Sequence, residues 1–148
     1  MALLEHELYY KTVNRELSSI DTKTIFEQQE QFVECGKTGN LFLAERLLAK
    51  GISIETTDIH SMTALHWAVN SEQAAAVSFL VNRGANPNAY SPQSYDTPVS
   101  LAAKKGNVPI LHFLLDHGGD FHYHDQRGVT LLMCAAASGS ALATEYLV

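Results

Sequence analysis

Apolar positions along this chain fall into paired short stripes, each at a helical spacing and each pair closed by a glycine. The clearest pair opens with Leu65, Trp67, Ala68 and Val69 after Thr63. A second stripe of Val77, Leu80 and Val81 predicts a helix from about Ala74 to Asn82, and Gly84 stops it. The segments AERLLAKG (44–51), VSFLVNRG (77–84) and LHFLLDHG (111–118) repeat the same ending, with glycines 51, 84 and 118 spaced 33 and 34 residues apart. Threonines 63, 97 and 130 keep the same beat. Self-similarity at that period predicts a solenoid made by stacking one helix-pair unit. A solenoid offers an extended binding surface rather than an enclosed pocket.

The other units follow the same logic. Thr97-Pro98 places a capping hydroxyl before a proline at the first helical position, where its missing N–H is harmless. Leu101, Ala102 and Ala103 then predict an inner helix, and Ile110, Leu111, Leu114 and Leu115 an outer one, with Pro109 confined to the first turn. The last unit opens with Asp125, Gly128 and Thr130 and continues with Leu132, Ala135 and Ala136. In the first unit, Phe32, Cys35 and Gly36 stand at the leucine and small-residue positions, and Thr24 to Glu27 reads as a capping box that starts the helix. Leu41, Leu43, Ala44, Leu47 and Leu48 make its second helix. Ahead of it, Leu3, Tyr9, Tyr10, Val13, Leu17 and Ile20 share one face, predicting an amphipathic helix over 2–20 that caps the stack.

These units resemble the ankyrin repeat. The resemblance rests on Thr63-Ala64-Leu65-His66 with Ala68, on Thr97-Pro98 with Ala102-Ala103 and Gly106-Asn107, and on Gly84-Ala85-Asn86-Pro87-Asn88 and Asp125, Gly128 and Thr130. It covers roughly residues 24–148. Ser100 and Met133 depart from the family's histidine, Leu131 from its proline, and Glu72 stands where a glycine separates the helices. Ser91 reads as a one-residue insertion that lengthens the third unit to 34. The implied fold is an all-α ankyrin-repeat solenoid of helix-turn-helix units joined by hairpin-like loops. Its divisions are a cap over 1–23, a degenerate repeat over 24–57, repeats over 58–90 and 91–124, and an incomplete repeat over 125–148.

The resemblance also implies a protein-interaction scaffold whose partner meets the concave side made by hairpin tips and inner helices. Carried over by position, that side holds Thr57, Ile59, His60 and Met62 entering the second repeat, with Trp67, Asn70 and Ser71 on its first helix. The next unit supplies Tyr90, Gln93, Ser94, Asp96, Lys104 and Lys105, and the last supplies His124, Gln126, Arg127, Val129 and Ser138. Aromatic, methionine and arginine side chains are enriched at interface centres, which makes Trp67, Tyr90, Met62 and Arg127 the expected anchors. For Trp67 the competing expectation is burial against the third repeat.

Composition narrows the partner. The chain has 148 residues, 46% hydrophobic and 18% charged, enough for one domain with its own core. A net charge of −6 argues against nucleic acid, which needs a basic face, and against anionic membranes. Glu5, Glu7, Lys11, Arg15 and Glu16 interrupt the first twenty residues, unlike a signal peptide, and no stretch is long and apolar enough for a membrane span. Cys35 and Cys134 fall three repeats apart, far beyond the roughly 7 Å reach of a disulfide. Free thiols fit a cytoplasmic setting, or a host cytosol for a bacterial effector.

Seven histidines invite a metal reading, with His117, His122 and His124 beside Asp120 and Asp125. Zinc takes about four converging ligands; the alternating 121–124 segment reads as extended, with His122 and His124 on one side, but offers no cysteine pair, so solvent-facing hairpin residues are expected there. GKTGN (36–40) and KKGN (104–107) lack the full phosphate-loop pattern and read as inter-helix turns. No cofactor, metal or catalytic residue is expected, and the module is expected to be monomeric in isolation. Val148 falls inside a predicted helix of an apolar unit, which predicts that the native polypeptide continues. Two further expectations follow. The chain is the recognition arm of a multidomain enzyme or host-delivered bacterial effector with its catalytic domain after residue 148, or it self-associates through helix 2–20 or the last unit.

Overall fold

The computed structural model describes residues 24–148; the predicted helix over 2–20 lies outside them. Among the described residues eight helices follow in order: α1 over 24–38, α2 Leu41–Ala49, α3 Ala64–Asn70, α4 Ala74–Asn82, α5 Pro98–Lys105, α6 Val108–Asp116, α7 Leu131–Ser138 and α8 Ala141–Leu147. Among the described residues, β-structure amounts to two isolated antiparallel bridges, Thr57 to Thr63 and His124 to Thr130, at the bases of two hairpin tips. The inner helices α3, α5 and α7 stack in one layer and the outer helices α4, α6 and α8 in a second, with each inner helix packed on its own outer one. The predicted all-α solenoid is therefore the fold.

The inner layer is tight because its contact residues are small. Ala64, Ala68, Ala102, Ala103 and Ala135 are buried, as are Cys35 and Cys134. At Gly36 a side chain is sterically excluded: a Cβ there would overlap the backbone carbonyl of Ala64 in the next repeat. The outer helices bury one stripe each, such as Ala76, Val77 and Leu80 in α4 and Ile110, Leu111 and Leu114 in α6. α2, α4 and α6 are stopped by Gly51, Gly84 and Gly118, each with φ between 94° and 97°. After each, the next N–H turns back to the helix, as from Gly119 to the Leu114 carbonyl at 2.8 Å.

Four details differ from the sequence reading. Thr24 is already helical, so it does not cap α1. The extra residue of the third unit lies inside the hairpin tip rather than at Ser91. The tips at 58–62 and 125–129 close by Asp58 N–H to Met62 O and Asp125 N–H to Val129 O (3.0 Å each), whereas Ser91 N–H reaches Asp96 O at 2.9 Å, one residue further. Ser91 therefore occupies the slot of the two aspartates and is fully buried. In α7 the buried residues are Leu131, Cys134 and Ala135, while Leu132 (41%) and Met133 (54%) are exposed and Ala136 faces outward with them. Their counterparts in α3 and α5, Leu65, His66 and Val69 and then Val99, Ser100 and Ala103, are buried because the next repeat covers them. Finally, Phe121 and His122 form a turn closed by Tyr123 N–H to Asp120 O (3.2 Å), so the segment is not extended before His124.

Candidate partner-binding face

Each hairpin tip is built by one side chain folding the backbone around itself. Asp58 Oδ1 accepts the N–H groups of His60 (2.9 Å) and Met62 (3.0 Å), and its Oδ2 accepts the indole N–H of Trp67 at 2.7 Å. Asp125 does the same with the N–H groups of Arg127 (2.8 Å) and Val129 (3.0 Å), and its Oδ2 accepts Nε–H and Nη2–H of Arg127 at 3.0 and 2.8 Å. Aspartate suits this role because its short carboxylate closes a turn on backbone two residues ahead. Desolvation alone would raise the Asp125 carboxyl, but the Val129 and Arg127 hydrogen bonds and the Arg127 charge outweigh it and hold the group below the usual carboxylate range.

Neighbouring tips are stapled to one another. Ser91 Oγ donates to the His60 carbonyl (3.0 Å) and Gln93 Nε2 to the Ile59 carbonyl (3.1 Å). Tyr123 donates its hydroxyl to the Tyr95 carbonyl at 2.6 Å, while the Arg127 guanidinium lies 4.8 Å from the centre of the Tyr95 ring. Burial pushes the Tyr123 phenol up to about 12, so it stays a donor. Tyr95 stands in the left-handed region (φ 62°) at the lengthened tip.

The structure brings most of the sequence-predicted residues to this one face. Ile59 is 72% exposed, and Thr57, His60, Ser71, Tyr90 and Gln93 are exposed with it. Lys104, Lys105, His124, Gln126 and Arg127 are exposed further along, and Asn70, Ser94, Val129 and Ser138 are half-buried. Two predicted residues are not available. Met62 is only 6% exposed and belongs to the core, where its sulfur accepts a hydrogen bond from Ser94 Oγ at 3.5 Å. Asp96 is likewise buried, its carboxylate bonded to Lys104 Nζ at 2.5 Å and to Ser100 Oγ at 3.1 Å. Trp67 is half-buried, with Lys37 Nζ of the first repeat 4.3 Å over its ring.

The sequence reading missed the α1 wall of the face. A groove of about 540 Å³ runs between α1 and the 58–62 tip, lined by Glu27, Glu30, Glu34, Lys37, Ile59 and His60 among others. Lys37 is 3.3 Å from Glu34. The signal was present in the period: Glu34 and Lys37 stand 33 residues before Trp67 and Asn70. It was passed over because the first repeat has no tip of its own in the motif.

The histidines are engaged locally. His117 bonds the Phe113 carbonyl through Nδ1 (2.8 Å) and stacks on the Phe113 ring, while His122 meets the Phe121 ring edge-on. Among the described residues no three His, Cys, Asp or Glu side chains converge as a metal would require. Burial raises both cysteine thiols above their ordinary value. No helix among the described residues is long and apolar enough to cross a membrane.

Comparison with known proteins agrees with this architecture. The pattern described as "Ankyrin repeats (3 copies)" matches residues 89–148, and the single "Ankyrin repeat" pattern matches residues 60–91. An ankyrin repeat and KH domain-containing protein of Caenorhabditis briggsae is 44% identical over 81 residues, 53% of this chain. The inactive serine/threonine-protein kinase TEX14 of Bos taurus is 35% identical over 131 residues, 87% of the chain. The palmitoyltransferase akr1 of Neurospora crassa is 31% identical over 117 residues, 78% of the chain. The aligned parts make up only 3%, 8% and 16% of those proteins. With both patterns in register with the stacked helix pairs, the chain belongs to the ankyrin repeat family.

Proposed function

We propose that this chain is a non-catalytic recognition module that binds a protein partner through the face formed by its inner helices and hairpin tips. The observation that carries this reading is the row of exposed side chains Ile59, Tyr90, Gln93, Gln126 and Arg127 on tips that are hydrogen-bonded to one another. A surface held rigid before binding loses less conformational entropy when it docks. Ile59 and Tyr90 are the anchors, since they combine apolar area with exposure. Affinity capture from cell lysate, comparing the chain with an Ile59→Asp, Tyr90→Asp double variant, tests this. Loss of specific captured proteins with an unchanged melting curve is expected; equal capture would place the binding surface elsewhere. The module is monomeric in this reading, and light scattering across a concentration series would overturn that by a mass above 16.3 kDa.

A second reading makes the module the recognition arm of a longer protein with a further domain after residue 148. Its support is the likeness to stretches of a palmitoyltransferase and of an inactive kinase, both many times longer than the aligned part. The mass of the native protein in cell extract tests it: a species no heavier than this chain would remove it.

A further inference from the structure

We propose that the groove between α1 and the 58–62 tip receives a basic segment of the protein partner, with Lys or Arg side chains meeting Glu27, Glu30 and Glu34 and an apolar side chain resting on Ile59. The inference rests on the reading of this face as partner-binding and names the chemistry it selects. The groove between α1 and the tip is open to solvent, and its volume of about 540 Å³ falls in the size range of ligand sites. Among the described residues that line it, carboxylates outnumber cations four to one, counting Asp58. Asp58 is committed internally, its oxygens filled by His60 N–H, Met62 N–H and the Trp67 indole, so the glutamates are the groups that face a ligand. The cation among the described lining residues, Lys37, lies against Glu34 and over the Trp67 ring.

Charge complementarity selects the occupant. A cleft with one sign of charge and low-dielectric walls focuses its field and raises the local concentration of the opposite sign. Elsewhere on the face Arg127 pairs with Asp125 and Lys104 with Asp96, and Lys105 adds positive charge, so the excess negative charge sits at the first-repeat end. Ile59 is 72% exposed at the rim, and a smaller depression beside it adds the exposed ring of Phe26. Acid plus apolar area at one rim matches a segment that carries both lysine or arginine and leucine-like side chains.

The test uses the full chain labelled with nitrogen-15 and two acetylated nine-residue probe peptides, one alternating Lys and Leu, the other Glu and Leu. Amide shifts on titration with the lysine peptide are expected to cluster at residues 27–37 and 58–60, with none from the glutamate peptide. Binding should weaken about tenfold or more on raising salt to several hundred millimolar, since screening shortens the reach of exposed charges. The Glu27→Lys, Glu30→Lys variant, checked for an unchanged helical spectrum, should lose the lysine-peptide footprint. The groove would be overturned by no footprint, by equal footprints from both peptides, by a footprint indifferent to the double reversal, or by concentration-dependent shifts at the groove without peptide, which would assign it to a second copy. A footprint at Tyr90, Gln93 and Arg127 instead would discard the groove but retain the wider face. One on α4 and α6 would discard both.

Discussion

His66 links a local motif to the next repeat. Its Nδ1 accepts the Thr63 N–H (3.0 Å), Thr63 Oγ1 caps the His66 N–H in return (3.3 Å), and its Nε2 lies 3.1 Å from the Asp96 carbonyl thirty residues on. That arrangement requires the neutral tautomer with the proton on Nε2, because a protonated Nδ1 would face the Thr63 donor. Burial accordingly depresses its pKa below 6.5. The unfolded chain takes up the proton near pH 6.5 and the folded chain only at lower pH, so stability is full above 6.5 and falls as pH drops through that window. Denaturant melts between pH 7.5 and 5 should show a loss approaching about 1.4 kcal/mol per pH unit below 6.5 from this group, and His66→Asn should flatten the slope. The cap was legible in the sequence because its partners are three residues apart; the Asp96 bond was not. Glu72 tells a similar story. It stands with φ 56° in the slot that Gly39, Gly106 and Gly139 fill elsewhere. A left-handed L-residue costs roughly 1–2 kcal/mol, partly offset by glycine's larger unfolded-state entropy, so Glu72→Gly should raise stability by about 0.5–1 kcal/mol in denaturant melts. Met62 went the other way: its residue type pointed to an interface anchor, and only its position beneath the next tip shows that it is core.

At the scale of elements, the inner helices start with the same threonine but not the same strength of cap. Thr97 and Ser100 exchange two bonds, Thr97 N–H to Ser100 Oγ (2.9 Å) and Ser100 N–H to Thr97 Oγ1 (3.1 Å). Thr130 accepts only the Met133 N–H, at 3.3 Å, because methionine has no group to return. Thr97 is also buried, whereas Thr130 is half-exposed. Thr97→Ala strips the acceptor from a buried Ser100 N–H and Thr130→Ala from an exposed Met133 N–H, so they should cost about 2 kcal/mol and about 1 kcal/mol or less in denaturant melts; equal costs would show that burial of the cap adds nothing. The bounds of α4 were readable to the residue, since a continuous stripe and a glycine stop define them locally. The lengthened tip was read one slot off, because a one-residue insertion in a loop leaves the same spacing wherever it sits, and only the Ser91 to Asp96 hydrogen bond locates it.

Across the whole molecule, each repeat contacts its neighbours, so stability passes along the stack through the interfaces between units. At Gly36 α1 is pressed against the start of α3 without room for a side chain. Gly36→Ala would push that backbone apart and should cost about 1–3 kcal/mol, taken mainly from the first repeat. Hydrogen exchange should then accelerate in α1 and α2 while α5 and α6 keep their protection; uniform acceleration would mean that the stack unfolds as one unit. The sequence by itself determined the period, the helix pairs, the caps and the row of tip residues, because these follow from contacts within a few residues and from simple repetition. The tertiary structure alone decided which of those residues are exposed, which tips are stapled together, and that α1 and the 58–62 tip enclose an acidic groove. Those features depend on side chains some thirty residues apart meeting across stacked repeats, and the periodicity of one chain says which positions are equivalent, not what each one touches.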